Sequence, residues 1–90
     1  MTDPLAALRL RFRARVGEDL ARLRVLVSGD LHAIELRRLI HNIAGSAGTF
    51  GYPELSTRAL WIDDRYAAGE APKLADLAAL EAALAEVAAS

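Results

Sequence analysis

The chain has 90 residues, a formal net charge of −1 and 53% hydrophobic residues, a composition typical of one folded domain rather than a disordered segment. With no cysteine and only two histidines, it lacks the residues for a disulfide framework, a thiol nucleophile or a multi-histidine metal site. No apolar run approaches the roughly 18 residues of a membrane span, and the N-terminus does not resemble a signal peptide. We therefore expect a cytoplasmic protein with no membrane partner.

The apolar residues are mainly those that favour helices. Nineteen Ala and fifteen Leu supply most of the hydrophobic content, against four Val, four Ile and five aromatic residues. Ala and Leu have the highest helix propensities, whereas β-branched and aromatic residues favour strands. The composition predicts an all-α fold.

The first helix is predicted over about residues 4–27. Thr2-Asp3-Pro4 provides a capping side chain followed by a proline suited to the first helical position. Apolar residues then recur every three or four positions, at Leu5, Leu8, Phe12, Val16, Leu20, Leu23 and Val27. Ser28-Gly29-Asp30 ends this helix, and Asp30 is the expected cap of the next.

Three further helices are predicted over about residues 31–48, 53–68 and 73–88, with Pro53 and Pro72 suited to open the last two. Their apolar stripes comprise Leu36, Leu39, Ile40, Ile43 and Ala47; then Leu55, Ala59, Ile62 and Tyr66; then Leu74, Leu77, Leu80, Leu84 and Val87. Because the connecting segments are short, the pattern favours an antiparallel up-down four-helix bundle. We expect a single domain over residues 1–90 that is monomeric.

The positive charge is concentrated in the first half of the chain. Residues 1–45 contain eight arginines and five acidic residues, while residues 46–90 contain three basic and seven acidic residues. Four of the arginines alternate along the first helix, at Arg9, Arg11, Arg13 and Arg15. This spacing spreads them around the helix and indicates a solvated surface, so no nucleic-acid partner is expected.

His41 falls on the outer face of the second helix. At about 100° per residue, it points almost directly away from the apolar stripe of that helix. The residues that share its face are Arg37, Arg38, Gly45 and Gly48, together with Ile34. His32, the other histidine, falls near the core side and is interpreted as a structural residue.

Two glycines on one exposed helix face require an explanation, because each costs about 1 kcal/mol of helix stability relative to alanine. Gly48 can be a C-terminal cap. Gly45 is too far from the helix end for that, and a steric interpretation is that bare backbone beside His41 lets another protein approach. An ordinary exposed histidine remains the alternative for His41.

The segment from His41 to Gly51, HNIAGSAGTFG, followed by Tyr52-Pro53-Glu54-Leu55, Ala59 and Ile62, resembles the signature of histidine-containing phosphotransfer (HPt) domains. These four-helix bundles are phosphocarriers of two-component phosphorelays. The resemblance covers the histidine, the glycine four residues later, the small residues that follow and the glycine ten residues later.

The resemblance implies that His41 receives a phosphoryl group and passes it on. The implied partners are response-regulator receiver domains, histidine kinases or both, with Mg²⁺ on the receiver and no cofactor on this chain. The sequence has neither a Gly-rich phosphate loop nor an acidic metal cluster, so we expect a phosphocarrier and not an independent enzyme. The alternative is a helical adaptor that binds receivers or kinases without being phosphorylated.

Three positions bear on how such a site would work. Many members of the family have a lysine three residues after the histidine, and here that residue is Ala44. Arg37 and Arg38, one turn before His41, can supply the charge instead, or can be surface residues that serve solubility or docking. Asp63 is the candidate acceptor for the Nδ1–H group of His41, since related domains place Glu or Gln near the histidine. Its alternative is a solvent-exposed side chain or half of an acidic pair with Asp64.

Four aromatic or apolar residues lie outside these assignments. Phe50 and Tyr52 are expected to close one end of the bundle. Leu60 and Trp61 lie off the buried stripe of the third helix, where they either pack under a neighbouring helix or form a partner-binding patch.

Overall fold

The computed structural model describes residues 3–90 and contains four α-helices: α1 (Ala6–Leu26), α2 (Ile34–Thr49), α3 (Pro53–Ala67) and α4 (Leu74–Ala89). Successive helices pack against each other and α4 returns to α1, forming a bundle of 48 × 22 × 20 Å. No strand occurs among the described residues. The predicted all-α, antiparallel up-down four-helix bundle is confirmed.

The core is built from one buried stripe on each helix, and no polar or charged residue within 3–90 is buried in it. The buried side chains are Phe12, Val16, Leu20 and Leu23 on α1; Leu36, Leu39, Ile40, Ile43, Ala44 and Ala47 on α2; Leu55, Ala59, Ile62 and Tyr66 on α3; and Leu77, Leu80, Ala83 and Leu84 on α4. These spacings of three and four residues fix which face of each helix is left for solvent.

Phe12 marks one end of the bundle. Its ring stacks on Phe50 and Tyr52, with centroid distances of 4.8 and 5.1 Å. At the same end the Arg13 guanidinium donates a 3.2 Å hydrogen bond to the backbone oxygen of Ser90. The ends of α2 and α4 therefore meet α1 about two turns after it begins.

The apolar stripes predicted for the first and fourth helices are too long. Leu5 and Leu8 are 50% and 43% exposed because the turn before α1 and the first turns of α1 extend past the neighbouring helices. Leu74, predicted in the buried stripe, is 69% exposed at the start of α4.

The second helix begins at Ile34, three residues later than predicted, because Asp30 forms a turn instead of capping the helix. The Asp30 carboxylate accepts a hydrogen bond from the backbone N–H of His32 at 2.9 Å, and its carbonyl accepts one from Ala33 at 3.0 Å. These bonds close a turn, and the extended backbone of Ala33 then leads into α2. His32 is exposed in this turn, so its interpretation as a residue near the core is wrong.

The first helix begins two residues later than predicted for a similar reason. Asp3 accepts a hydrogen bond from the backbone N–H of Leu5 at 2.9 Å, and Pro4 lies in the resulting turn before α1 starts at Ala6. Thr2 lies outside the described residues.

Gly51 ends α2 with a left-handed residue, at φ +80°. The backbone N–H of Tyr52 donates to the carbonyl of Ala47 at 2.9 Å, and that of Gly51 donates to Gly48 at 3.4 Å. This is a Schellman motif, which favours glycine at the left-handed position. The cap is thus Gly51, and the interpretation of Gly48 as a cap is wrong.

Tyr66 ties α3 to the segment before α2. Its hydroxyl donates a 2.6 Å hydrogen bond to the backbone carbonyl of Leu31. Burial raises the pKa of the Tyr66 hydroxyl above its ordinary value, with Arg37 opposing the shift and Asp30 adding to it. Within residues 3–90, no helix combines the length and apolar character that crossing a membrane requires.

Candidate functional site

His41 is the eighth residue of the 16-residue helix α2, and its side chain is 72% exposed. Its direction is set by its neighbours, because Ile40 and Ile43 are 0% and 3% exposed and hold the opposite face of the helix against the core. The imidazole therefore projects from the side of the bundle, away from both ends.

Asp63 meets this imidazole from α3. Its Oδ2 atom lies 2.9 Å from Nδ1 of His41, and the carboxylate is 22% exposed. Ile62, fully buried, fixes the phase of α3 at this point. A carboxylate accepts but does not donate, so the contact favours the tautomer with the proton on Nδ1 and the lone pair on Nε2.

Two grooves flank His41. The first, which we call the Asp63 groove, has a volume of about 530 Å³ and lies towards α3; its lining comprises Ile34, Arg37, Arg38, His41, Asn42, Asp63 and Ala67. The second, the Arg15 groove, has a volume of about 570 Å³ and lies towards α1; its lining comprises Arg15, His41, Asn42, Gly45, Ser46, Thr49 and Phe50. His41 stands on the ridge between the two.

Gly45 leaves the backbone bare in the Arg15 groove. A Cβ atom built on it would meet nothing within 4 Å outside its own helix backbone, so neither packing nor a turn requires glycine there. A Cβ atom on Gly48 would lie 3.5 Å from Oγ of Ser56 on α3, an ordinary contact. Of the two glycines, Gly45 has the more open surroundings.

Arg37 and Arg38 both line the Asp63 groove, and neither forms an ion pair among residues 3–90. The guanidinium of Arg37 lies 5.8 Å from the ring centroid of Tyr66, within the range of a cation–π contact. Arg38 also lines the groove between α1 and α2. The two cations therefore lie beside His41 on its N-terminal side.

Ala44, at the position where many HPt domains have lysine, faces the interior. It is 5% exposed, and its carbonyl accepts a 3.2 Å hydrogen bond from the Ser56 hydroxyl. No cation comes from this position, so any positive charge near the imidazole has to come from neighbouring turns or helices.

The family model of the Hpt domain matches residues 7–90, nearly the whole chain. The chain belongs to the Hpt domain family. No curated protein and no solved structure matches it. Membership places this Hpt domain in phosphotransfer of two-component signalling, in a family of phosphocarrier modules that interact with receiver domains or kinases.

Arg15 of this Hpt domain lines a groove with His41, although the alternating arginines of α1 predict only a solvated surface. It directly precedes the buried Val16 and therefore flanks the core stripe of α1. The position of Arg15 beside the buried stripe of α1 can be predicted from the sequence. The sequence does not predict which neighbouring helix lies against that side of α1.

Asp19 lies one turn after Arg15, in the groove between α1 and α2. Burial raises the pKa of its carboxyl above the ordinary value; Arg15 and Arg22 oppose the shift, and Glu18 adds to it. Arg22 is itself paired with Glu35 of α2. Arg15 forms no ion pair within the described residues, and it lines both this groove and the Arg15 groove.

Leu60 and Trp61 remain outside the core of the Hpt domain. They are 47% and 63% exposed, so the interpretation that they pack under a neighbouring helix is wrong. Trp61 lines a groove between α3 and α4 with Thr57 and Asp76. In the described part of the chain, no three His, Cys, Asp or Glu residues lie close enough to hold a metal ion.

Proposed function

We propose that His41 is the phosphoacceptor of this Hpt domain and relays a phosphoryl group between receiver-domain aspartates, or from a histidine kinase to a receiver. The observation that carries the proposal is the combination of an imidazole that is 72% exposed with an Nδ1 atom bonded to Asp63. A protein-bound phosphoryl group can reach such a side chain without entering a pocket.

In this proposal Asp63 keeps the imidazole in the reactive tautomer. The lone pair of Nε2 attacks the phosphorus of an aspartyl phosphate, the N–P bond forms and the P–O bond to the aspartate breaks. The electron pair of that bond leaves with the aspartate carboxylate. The proton stays on Nδ1, and the positive charge that develops on the ring is stabilised by the Asp63 carboxylate.

The partner supplies the remaining machinery. Phosphoryl transfer depends on positioning and on neutralising the charge of the transferred group, commonly with Mg²⁺. We assign the Mg²⁺ to the receiver, and Arg37 and Arg38 to docking of its acidic site beside His41. Gly45 and Gly48 leave the helix surface without side chains, so that the receiver can approach His41 closely.

The test is transfer of labelled phosphate from a phosphorylated receiver domain in the presence of Mg²⁺. Wild-type protein should acquire acid-labile label, and His41→Gln should acquire none. His32→Gln is the matched control, because His32 is exposed in a turn outside α2 and should leave labelling unchanged. Label that persists in His41→Gln, or that disappears in His32→Gln, contradicts the assignment.

A non-phosphorylated adaptor gives a different result in the same experiment. It would bind the receiver with unchanged affinity after His41→Ala and would take up no label in the wild-type form. Binding measured by titration calorimetry alongside labelling separates the two functions.

A further inference from the structure

The two ring nitrogens of His41 point towards different sides of α2. An Nδ1 atom held by Asp63 points towards α3, and the two nitrogens of an imidazole point in widely diverging directions. Nε2 is therefore directed outward and away from α3. The flank of α2 opposite α3 is the one against α1, where the Arg15 groove lies.

Arg15 is the cation that lines the Arg15 groove, while Arg38 lines the neighbouring groove between α1 and α2. Arg15 lines its groove together with His41 and the open Gly45. Arg37, in contrast, lies over the Tyr66 ring and lines the groove on the Nδ1 side. A group attached to Nε2 thus occupies the side of the imidazole that Arg15 borders.

The polar groups of the groove also suit an anion. Its volume is about 570 Å³, and besides Arg15 it is lined by Asn42, Ser46 and Thr49 and by no acidic side chain. The Thr49 hydroxyl is already engaged with the carbonyl of Gly45 at 3.1 Å. The guanidinium is thus the positively charged donor of the groove, and its planar fork matches phosphoryl oxygens.

We propose that Arg15 of α1 holds the phosphoryl group carried on Nε2 of His41, so that the charge many Hpt domains place on the phosphorylated helix comes here from the neighbouring helix. This proposal rests on phosphorylation of His41. It assigns Arg15 to the phosphorylated state itself, while Arg37 and Arg38 act in docking.

The equilibrium of phosphoryl transfer distinguishes a residue that aids docking from one that contacts the phosphoryl group. A residue that only aids docking changes forward and reverse transfer alike and leaves the equilibrium distribution between the separated proteins unchanged. A residue that contacts the phosphoryl group stabilises the phosphorylated domain and shifts that distribution. The experiment measures the fraction of label on each protein after transfer between a phosphorylated receiver and this domain has reached equilibrium.

Arg15→Gln should shift the equilibrium about fivefold towards the receiver, the scale of one partly exposed charge pair. Arg15→Lys should restore most of the shift, since it keeps the charge. Arg9→Gln is the matched control: Arg9 is an exposed arginine of α1 that faces Asp3. Arg37→Gln should slow transfer in both directions without moving the equilibrium.

Asp19→Asn provides an independent variant. Removing the carboxylate one turn from Arg15 should shift the equilibrium in the opposite direction, towards this domain. The expected shift is about twofold, which is the size of an i,i+4 charge interaction.

An equilibrium that is identical in wild type and Arg15→Gln, with both proteins labelled at His41, overturns the assignment of Arg15 and leaves the proposed function intact. A wild-type protein that takes up no label overturns the proposed function, and the Arg15 assignment with it. Circular dichroism of each variant tests whether the helical content is unchanged.

Discussion

Asp63 and His41 are 22 residues apart in the chain and join α3 to α2 through a hydrogen bond of 2.9 Å between Oδ2 and Nδ1. The contact is between a partly shielded carboxylate and an exposed ring. It thus orients the imidazole without covering the nitrogen on its far side.

Replacing Asp63 should weaken phosphorylation without unfolding the bundle. Asp63→Ala removes the acceptor for Nδ1–H, and we expect transfer to slow by about tenfold, the lower end of the losses known for partners that orient metal-binding histidines. Nitrogen-15 chemical shifts of the His41 ring should show loss of the Nδ1–H tautomer. Asp64→Ala, at the adjacent exposed position, is the control and should change neither measurement.

Filling the space above Gly45 should block the partner and leave the fold intact. Gly45→Leu places a bulky side chain in the open Arg15 groove, and transfer from a phosphorylated receiver should fall by at least about tenfold. Gly17→Leu makes the same change in α1, where a Cβ also meets nothing within 4 Å. Normal transfer in Gly45→Leu would contradict the steric role of Gly45.

The Tyr66 hydroxyl should contribute measurably to stability. Tyr66→Phe removes its bond to Leu31, and we expect the free energy of unfolding to fall by about 1 kcal/mol. Tyr52→Phe makes the same chemical change at a hydroxyl with no hydrogen bond among the described residues and should cost less. Urea denaturation of the two variants provides the comparison, and equal losses would show that the Leu31 bond contributes nothing.

Two glycines should respond to alanine in opposite directions. Gly51 has φ +80°, so Gly51→Ala should destabilise the protein by about 1 kcal/mol. Gly17 lies within α1 with open space around it, so Gly17→Ala should stabilise by about 0.5–1 kcal/mol. Thermal denaturation measures both, and a stabilised Gly51→Ala variant would contradict the left-handed cap.

Neutralising Asp19 should stabilise the bundle at neutral pH. Burial raises the pKa of Asp19 above its ordinary value of 3.8, so the folded state holds this proton more tightly than the unfolded chain does. Ionisation therefore costs stability as the pH rises from 3.8 through the raised pKa, and Asp19→Asn should exceed wild type at pH 7 but not below pH 3.8. Melting curves across this pH range test it, with Asp64→Asn as the exposed control.

The helix register was predictable because each helix has its own apolar stripe, and burial of Leu36, Ile40 and Ile62 follows from spacing alone. The outward direction of His41 follows from the same register. The late start of α2 was not predictable from periodicity, since the Asp30 side chain competes with helix formation by closing a turn.

Features that depend on the packing between helices cannot be predicted from the periodicity of each helix alone. Leu5 and Leu8 continue the stripe of α1, but their exposure depends on where α2 and α4 end. Arg15 lies beside the buried stripe of α1, and only the packing of the bundle determines which helix is next to it there. The resemblance to a family suggests that Asp63 lies near His41. The distance between the two side chains depends on how α2 packs on α3, which the sequence does not give.

Under the proposed function, folding and signalling favour different residues at Gly45. The helix would accept alanine or a larger side chain there, because no packing or backbone conformation demands glycine. A library of variants selected only for thermal tolerance should therefore lose Gly45 early, and the survivors should be well-folded proteins with reduced relay activity. Selection that also demands signal transmission should retain it.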